Sequence, residues 1–167
     1  MAKKNRNKMT NLILMAVSLA TAALSFVGLA LNFITGTSKI GSVSSTVDWN
    51  LSDWFGMIDD MADYDKIGSW QTARVMLFAT LVLLGIMALL LIAKCFVKRP
   101  LLKWSLFGTA LAVFACALIF MITVCVGCGA LTNDSLITTF TASFGVYLLT
   151  IGAMISSACA AVTALRK

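Results

Sequence analysis

The chain contains no histidine and no glutamate, a single proline at Pro100, and acids that are all aspartate. Histidine and glutamate supply much of the material for metal centres and for proton transfer, so their absence leaves little for either chemistry. Charge is scarce too. Only 12% of the 167 residues are charged against 60% apolar, and the mean hydropathy is +0.94. A soluble domain of this size covers itself with roughly a quarter charged residues, so much of this surface faces lipid. The inventory argues against most enzymes before any motif is read.

What the chain does have is long apolar runs. Roughly 30 Å of hydrocarbon takes about 20 helical residues to cross, and a run of about 18 or more without charge reads as a spanning helix. Four such runs occur, at about 12–34, 75–93, 104–126 and 137–165, and place spans at 11–34, 71–93, 104–128 and 136–165. They predict an all-α membrane protein, a four-helix bundle, with a tail at 1–10, a long loop at 35–70, a basic turn at 94–103, a short loop at 129–135 and an end at 166–167. The first run is too long for the core of a cleaved leader and no A-x-A site follows it, so it reads as a retained span. Pro100 breaks the chain in the basic turn, where no helix has to tolerate it.

The charges sort by side. Lys3, Lys4, Arg6, Lys8, Lys94, Lys98, Arg99, Lys103, Arg166 and Lys167 share one face of the bilayer, ten of the thirteen bases. All seven acids, Asp48, Asp53, Asp59, Asp60, Asp63, Asp65 and Asp134, share the other with Lys39, Lys66 and Arg74. The excess of bases at cytoplasmic ends predicts a multi-pass protein of the cell membrane with both termini inside and both loops outside. The net charge of +6 is thus a topology signal and not a nucleic-acid footprint.

No acid or base falls in the middle of a span, which counts against pumping. The fourth span carries small residues at close-packing spacing: Gly152, Ser156, Ala160 and Ala164 on one ridge, Ala153, Ser157 and Ala161 on a second. Helices in lipid associate through such ridges. Gly108, Ala112 and Cys116 on the third span, and Ala16, Ala20 and Gly28 with Ser18 and Ala22 on the first, offer matching surfaces. Two ridges can serve the bundle and a neighbouring molecule at once, so an assembly through one of them is expected.

The long loop divides in two. Lys39 to Trp49 is rich in Val, Ser and Thr with partial alternation and reads as a strand or hairpin. From Ser52 to Asp65 the period becomes helical, with Trp54, Phe55, Ile58, Met61 and Ala62 on one side, Asp53, Asp59, Asp60 and Asp63 on the other, and Ser52 as N-cap. Trp49, Trp54, Tyr64 and Trp70 fit an interfacial aromatic belt. An outer interaction surface is expected at Trp49, Trp54, Phe55, Asp59, Asp60 and Asp63. Arg74, beneath six loop acids, is expected to anchor the loop with its guanidinium fork. The acids lack the ordered spacing of a calcium loop, and no metal, cofactor or small-molecule substrate is expected.

Five cysteines are present, none in the long loop. Cys125 and Cys128 form C-V-G-C, which resembles the redox pair of quinone-coupled membrane thiol oxidases; a membrane thiol oxidoreductase is therefore an alternative reading. A lone pair of this kind packs as small apolar side chains more often than it reacts.

At Gln71-Thr72-Ala73-Arg74-Val75-Met76, opening the second span, the chain resembles the claudin and peripheral-myelin-protein tetraspan superfamily. Ser52-Asp53-Trp54-Phe55-Gly56-Met57 is similar to that family's loop segment, Ala93-Lys94-Cys95 to its second-helix end, and Ser143 to Ala161 to its small-residue fourth helix. The resemblance implies a non-enzymatic protein. Its outer domain would sit on a left-handed four-helix bundle, with Arg74 under that domain, and contact other membrane proteins laterally or across a gap. The expected partners are membrane lipid and either further copies of the chain or a larger membrane complex. An oligomeric pore subunit is the other alternative.

Overall fold

The computed structural model describes residues 2–40, 42–61, 67–97, 100–135 and 137–165, the side chains of 2–8 and 134 excepted. Helix α1 (Ala2–Val27) leads through a short 3-10 turn, Gly28–Ala30, into strands β1 (Ile34–Ile40) and β2 (Val43–Trp49). Helices α2 (Leu51–Asp60), α3 (Gly68–Phe96) and α4 (Pro100–Asp134) follow, then strand β3 (Thr138–Ala142) and helix α5 (Phe144–Leu165). Four of these helices are long and apolar enough to cross a membrane. The chain is a multi-pass helical membrane protein carrying one small sheet.

The bundle closes through three main seams: α3 on α4, α4 on α5, and α5 on α1. The α1–α5 seam is made of small residues. Ser18 Oγ donates to Ser156 O at 2.9 Å and Ser156 Oγ donates to Ser18 O at 2.7 Å. A Cβ on Gly152 would lie 2.4 Å from Ser25 Oγ, and one on Gly145 would lie 2.8 Å from Gly28 O. Only glycine lets the two backbones approach so closely. Ala153, Ala160 and Ala164 pack instead with Leu84, Met87, Leu91, Leu106, Ala110 and Val113 in a second buried cluster, with Ala161 at its edge. Ser157 is buried, and its hydroxyl returns to Met154 O at 2.8 Å.

Both ridges of the fourth span therefore lie inside this one molecule. The first ridge is divided between seams: Gly152 and Ser156 meet α1, whereas Ala160 and Ala164 join Ala153 of the second in the cluster with α3 and α4, so the bundle itself accounts for their burial. Of the matching surfaces, Ser18, Ala22 and Gly28 are buried and the others are not. Gly108, Ala16 and Ala20 are exposed, whereas the buried stripes run through Ser18, Ala22 and Ser25 on α1 and on to Gly28 in the 3-10 turn, and through Leu106, Ala110, Val113 and Ala117 on α4.

The span limits shift where loop and helix meet. Helix α1 ends at Val27 and the apolar helical segment at Ala30, short of the expected 34, because Phe33 N donates to Trp49 O at 2.8 Å and Ser143 N donates to Phe33 O at 2.9 Å. Sheet pairing has captured the apolar end of that run. The strand begins at Ile34, earlier than the expected Lys39. The short loop at 129–135 is helical down to Asp134, and α4, at 35 residues, measures about 50 Å against a hydrocarbon core of about 30 Å. Its last turns stand beside the sheet. The run 136–165 is divided, with β3 preceding a 22-residue helix. The basic turn narrows because α3 continues to Phe96 and Pro100 opens α4, a position that needs no amide hydrogen.

Candidate interaction surface

The sheet has the order β2-β1-β3, antiparallel throughout, so the second loop supplies the third strand. Side chains alternate across it. One face holds Ile34, Gly36, Phe140, Ala142, Val47 and Trp49; the other holds Thr35, Thr37, Lys39, Ser44, Thr46, Asp48, Thr139 and Thr141. The first face rests on the helices at its root, where Ile34 is fully buried and Trp49 stacks on Phe140 at 5.6 Å over Gly36. The second is a field of hydroxyls in which Thr35 Oγ1 donates to Asp48 Oδ1 at 2.6 Å. Towards the hairpin tip the apolar face loses its cover: Ile40 and Val43, paired across the hairpin, are each 69% exposed and Val47 51%.

Helix α2 starts where Asn50 accepts hydrogen bonds on its side-chain oxygen from Ser52 N at 2.8 Å and Asp53 N at 3.1 Å. Asp53 Oδ2 accepts from Asn50 N in return, completing a capping box. The cap is thus Asn50 and not Ser52, since Ser52 already lies inside the first turn. The amphipathic division is as expected: Trp54 and Ile58 are buried, Asp53, Asp59 and Asp60 exposed. The helix ends at Asp60; Asp63, with Ala62, Tyr64 and Asp65, lies outside the described residues.

Trp54 is not on the outer surface. It is wholly buried at the meeting point of the hairpin root and three helices, with ring centroids 5.7 Å from Phe33, 5.9 Å from Trp70 and 6.4 Å from Phe120. Trp70, also expected in the interfacial belt, is buried as well, and its ring fills the space over Gly127, where a Cβ would come within 2.5 Å. The indole nitrogens of both Trp54 and Trp70 are buried with no partner among the described residues, so this junction is held by apolar and ring contact. A large apolar ring gains more from a four-way junction than from a lipid headgroup layer, which is why the periodicity identified the face but not its depth.

Arg74 reaches up from the first turns of α3. Its Nη1 lies 2.7 Å from Asp59 Oδ1, and its guanidinium carbon sits 4.8 Å from the centre of the Phe55 ring. Phe55 in turn stacks on Phe78 at 5.7 Å, which ties α2 to α3 along one line. The contact to Asp59 is one-armed, and among the described residues the second arm of the expected fork meets no other acid. Asp59 is 66% exposed, so the pair is solvated and modest in strength.

Beside β2 lies an open groove of about 570 Å³, lined by Val47, Asp48 and Trp49 on one wall and Asp53, Gly56, Met57, Asp60 and Met61 on the other. The sequence reading missed this groove and the β3 strand. The alternation in Thr138-Thr139-Phe140-Thr141-Ala142 was the available signal for β3, and Asn50 followed by Asp53 was the signal for the cap. Among the described residues no cluster of three metal-ligating side chains is present. All five cysteines are free thiols; Cys125 is exposed on α4 and Cys128 is buried. The chain matches no known family model, and no curated protein matches it.

Proposed function

We propose that the chain is a non-enzymatic protein of the cell membrane, both termini cytoplasmic, whose sheet and α2 form an outer domain that contacts other membrane proteins. The claudin-like resemblance points the same way, towards an assembly, scaffold or accessory subunit. The observation that carries the reading is the contrast between the two ends of the molecule. The span hydroxyls are satisfied within the molecule, Ser18 and Ser156 across a seam and the threonines on their own helix one turn back. The sheet instead presents a hydroxyl-covered face, an apolar tip and a strand edge that is unpaired among the described residues. Arg74 and Phe55 support that domain from below. The sorting of ten of the thirteen bases to one side in the sequence supports the orientation.

The test is recovery from the membrane in mild detergent, with cross-linking in intact cells beforehand. A discrete complex containing further copies or a second protein is the expected result. A lone monomer in several detergents, with no cross-linked product, overturns the reading.

A further inference from the structure

Strand β2 ends the sheet. Lys39 N donates to Ile137 O at 3.1 Å, so the odd-numbered residues of β1 address β3 and the even-numbered ones address β2. Their partners Val43, Ser45, Val47 and Trp49 then point their amides at β1, and the intervening Ser44, Thr46 and Asp48 direct theirs at the open side. Natural sheets guard such edges with lysine, proline, bulges or a covering element. Here the strand Val-Ser-Ser-Thr-Val-Asp-Trp has no bulge in its register and a single charge. The far edge of the sheet is treated differently: Thr132 of α4 accepts from Phe140 N at 2.9 Å and donates to Phe140 O at 3.3 Å, closing β3 with a side chain.

The groove lies along this open edge. Three consecutive residues of β2 line it, and consecutive residues share an edge, never a face. Helix α2 forms the other wall, where Gly56 keeps the space clear, with nothing within 4 Å of the position a Cβ would take. Asp48, Asp53 and Asp60 stand on the two walls.

We propose that β2 accepts an added strand from an extended, lysine- or arginine-bearing segment of a partner protein, laid in the groove between β2 and α2. This deepens the outer-face contact reading and rests on it. Backbone pairing supplies the affinity of strand addition, and alternate side chains supply its selectivity. Basic side chains of the incoming strand meet Asp48 on one face, and apolar ones meet the exposed Val43 and Val47 on the other. Charge decides between this occupant and a second copy of the chain. A second copy brings the same carboxylates to the seam, while the positive-inside reading assigns ten of its thirteen bases to the other side of the bilayer.

The test uses the full chain in nanodiscs of neutral phosphatidylcholine and two labelled peptides of roughly six residues, enough to pair along β2. One alternates lysine with valine, the other glutamate with valine, and anisotropy is the readout. The lysine peptide binds and weakens with salt, and the glutamate peptide does not bind. Thr46→Pro removes an outward amide without touching the β1 ladder and abolishes binding, and Asp48→Asn with Asp60→Asn weakens it by about tenfold or more. Equal binding of the two peptides overturns the proposal, as does full binding to a folded Thr46→Pro protein. If Thr46→Pro fails to fold, the Asn pair and the peptide comparison decide. Self-association that Thr46→Pro removes, with no peptide binding, overturns it in favour of a second copy and leaves the broader assembly reading standing. Absence of any complex in cells defeats that broader reading by itself.

Discussion

Ser18 and Ser156 exchange hydroxyl-to-carbonyl hydrogen bonds across the α1–α5 seam, with their two oxygens 3.1 Å apart. Each hydroxyl thus satisfies the other helix's backbone and brings the helices close enough for Gly152 to meet Ser25. Interhelical bonds of this kind contribute about 0.6 to 2 kcal/mol each in a membrane. Ser156→Ala removes one of the two bonds and is expected to lower unfolding stability by about that amount, and adding Ser18→Ala removes the other and should cost about as much again, since each bond ends on a backbone carbonyl that the substitutions leave in place. A double-mutant cycle by steric trapping or detergent melting measures the coupling.

Gly152→Leu has a different expected outcome. With Ser25 Oγ only 2.4 Å from the site of a Cβ, a leucine forces the seam apart and the protein fails to fold or expresses poorly. Ala153→Leu, aimed at the α3–α4 cluster, should do the same, because Ala153 is fully buried there. A folded variant that merely dissociates from a complex would show that one ridge faces a neighbour after all.

Trp54→Ala should be the most damaging change in the sheet-bearing half. It removes the ring shared by Phe33, Trp70 and Phe120 and is expected to cost about 3 to 5 kcal/mol. Limited proteolysis of the 35–70 segment reads it directly, since loss of this ring frees α2 and the hairpin root together. Trp54→Phe should retain most of the protection.

Arg74→Ala removes a solvated ion pair and a ring contact, each worth at most about 1 kcal/mol at such exposure. The loop should become more protease-sensitive while the melting temperature moves little. Because one nitrogen alone reaches Asp59, Arg74→Lys is expected to restore much of the wild-type behaviour. A lysine variant as sensitive as the alanine one would point to a two-armed contact in the membrane.

Accessibility of added tags tests the orientation. A tag after Lys167 should be shielded in intact cells, and one within the hairpin turn beside Ser42 should be reachable. An exposed C-terminal tag would reverse the placement of the sheet.

The spans were legible because lipid imposes one demand, about 20 apolar residues, that few other environments impose. Their ends were not. The root of a sheet wants the same apolar residues that lipid wants, so Phe33 and Ile34 read as span, and Phe140 and Ala142 disappeared into the fourth run. Trp54 illustrates the same ambiguity for the site, since an aromatic near the bilayer edge has the same periodic signature in a belt or in a core. Arg74 beneath a set of loop acids was visible as a pattern, but which acid it meets depends on where α2 stops. The open edge of β2 could not be read at all. Strand order is a property of the whole topology, and the strand that flanks β1 on its other side arrives from a distant part of the chain.

That distance sets the order in which the protein can be built. Thr35 and Thr141 pair 106 residues apart, with three of the four membrane-crossing helices made in the interval or after it. While the chain is being synthesised, the β1–β2 hairpin can close soon after α1 enters the membrane. It then waits with β1 unpaired on its second side until α4 is inserted and β3 emerges. The sheet is therefore a late product of synthesis, completed only after three of the four spans have been made. A chain stopped after α4 would present β1 and β2 with both margins unpaired, a state suited to recognition by quality-control proteases before any partner is met.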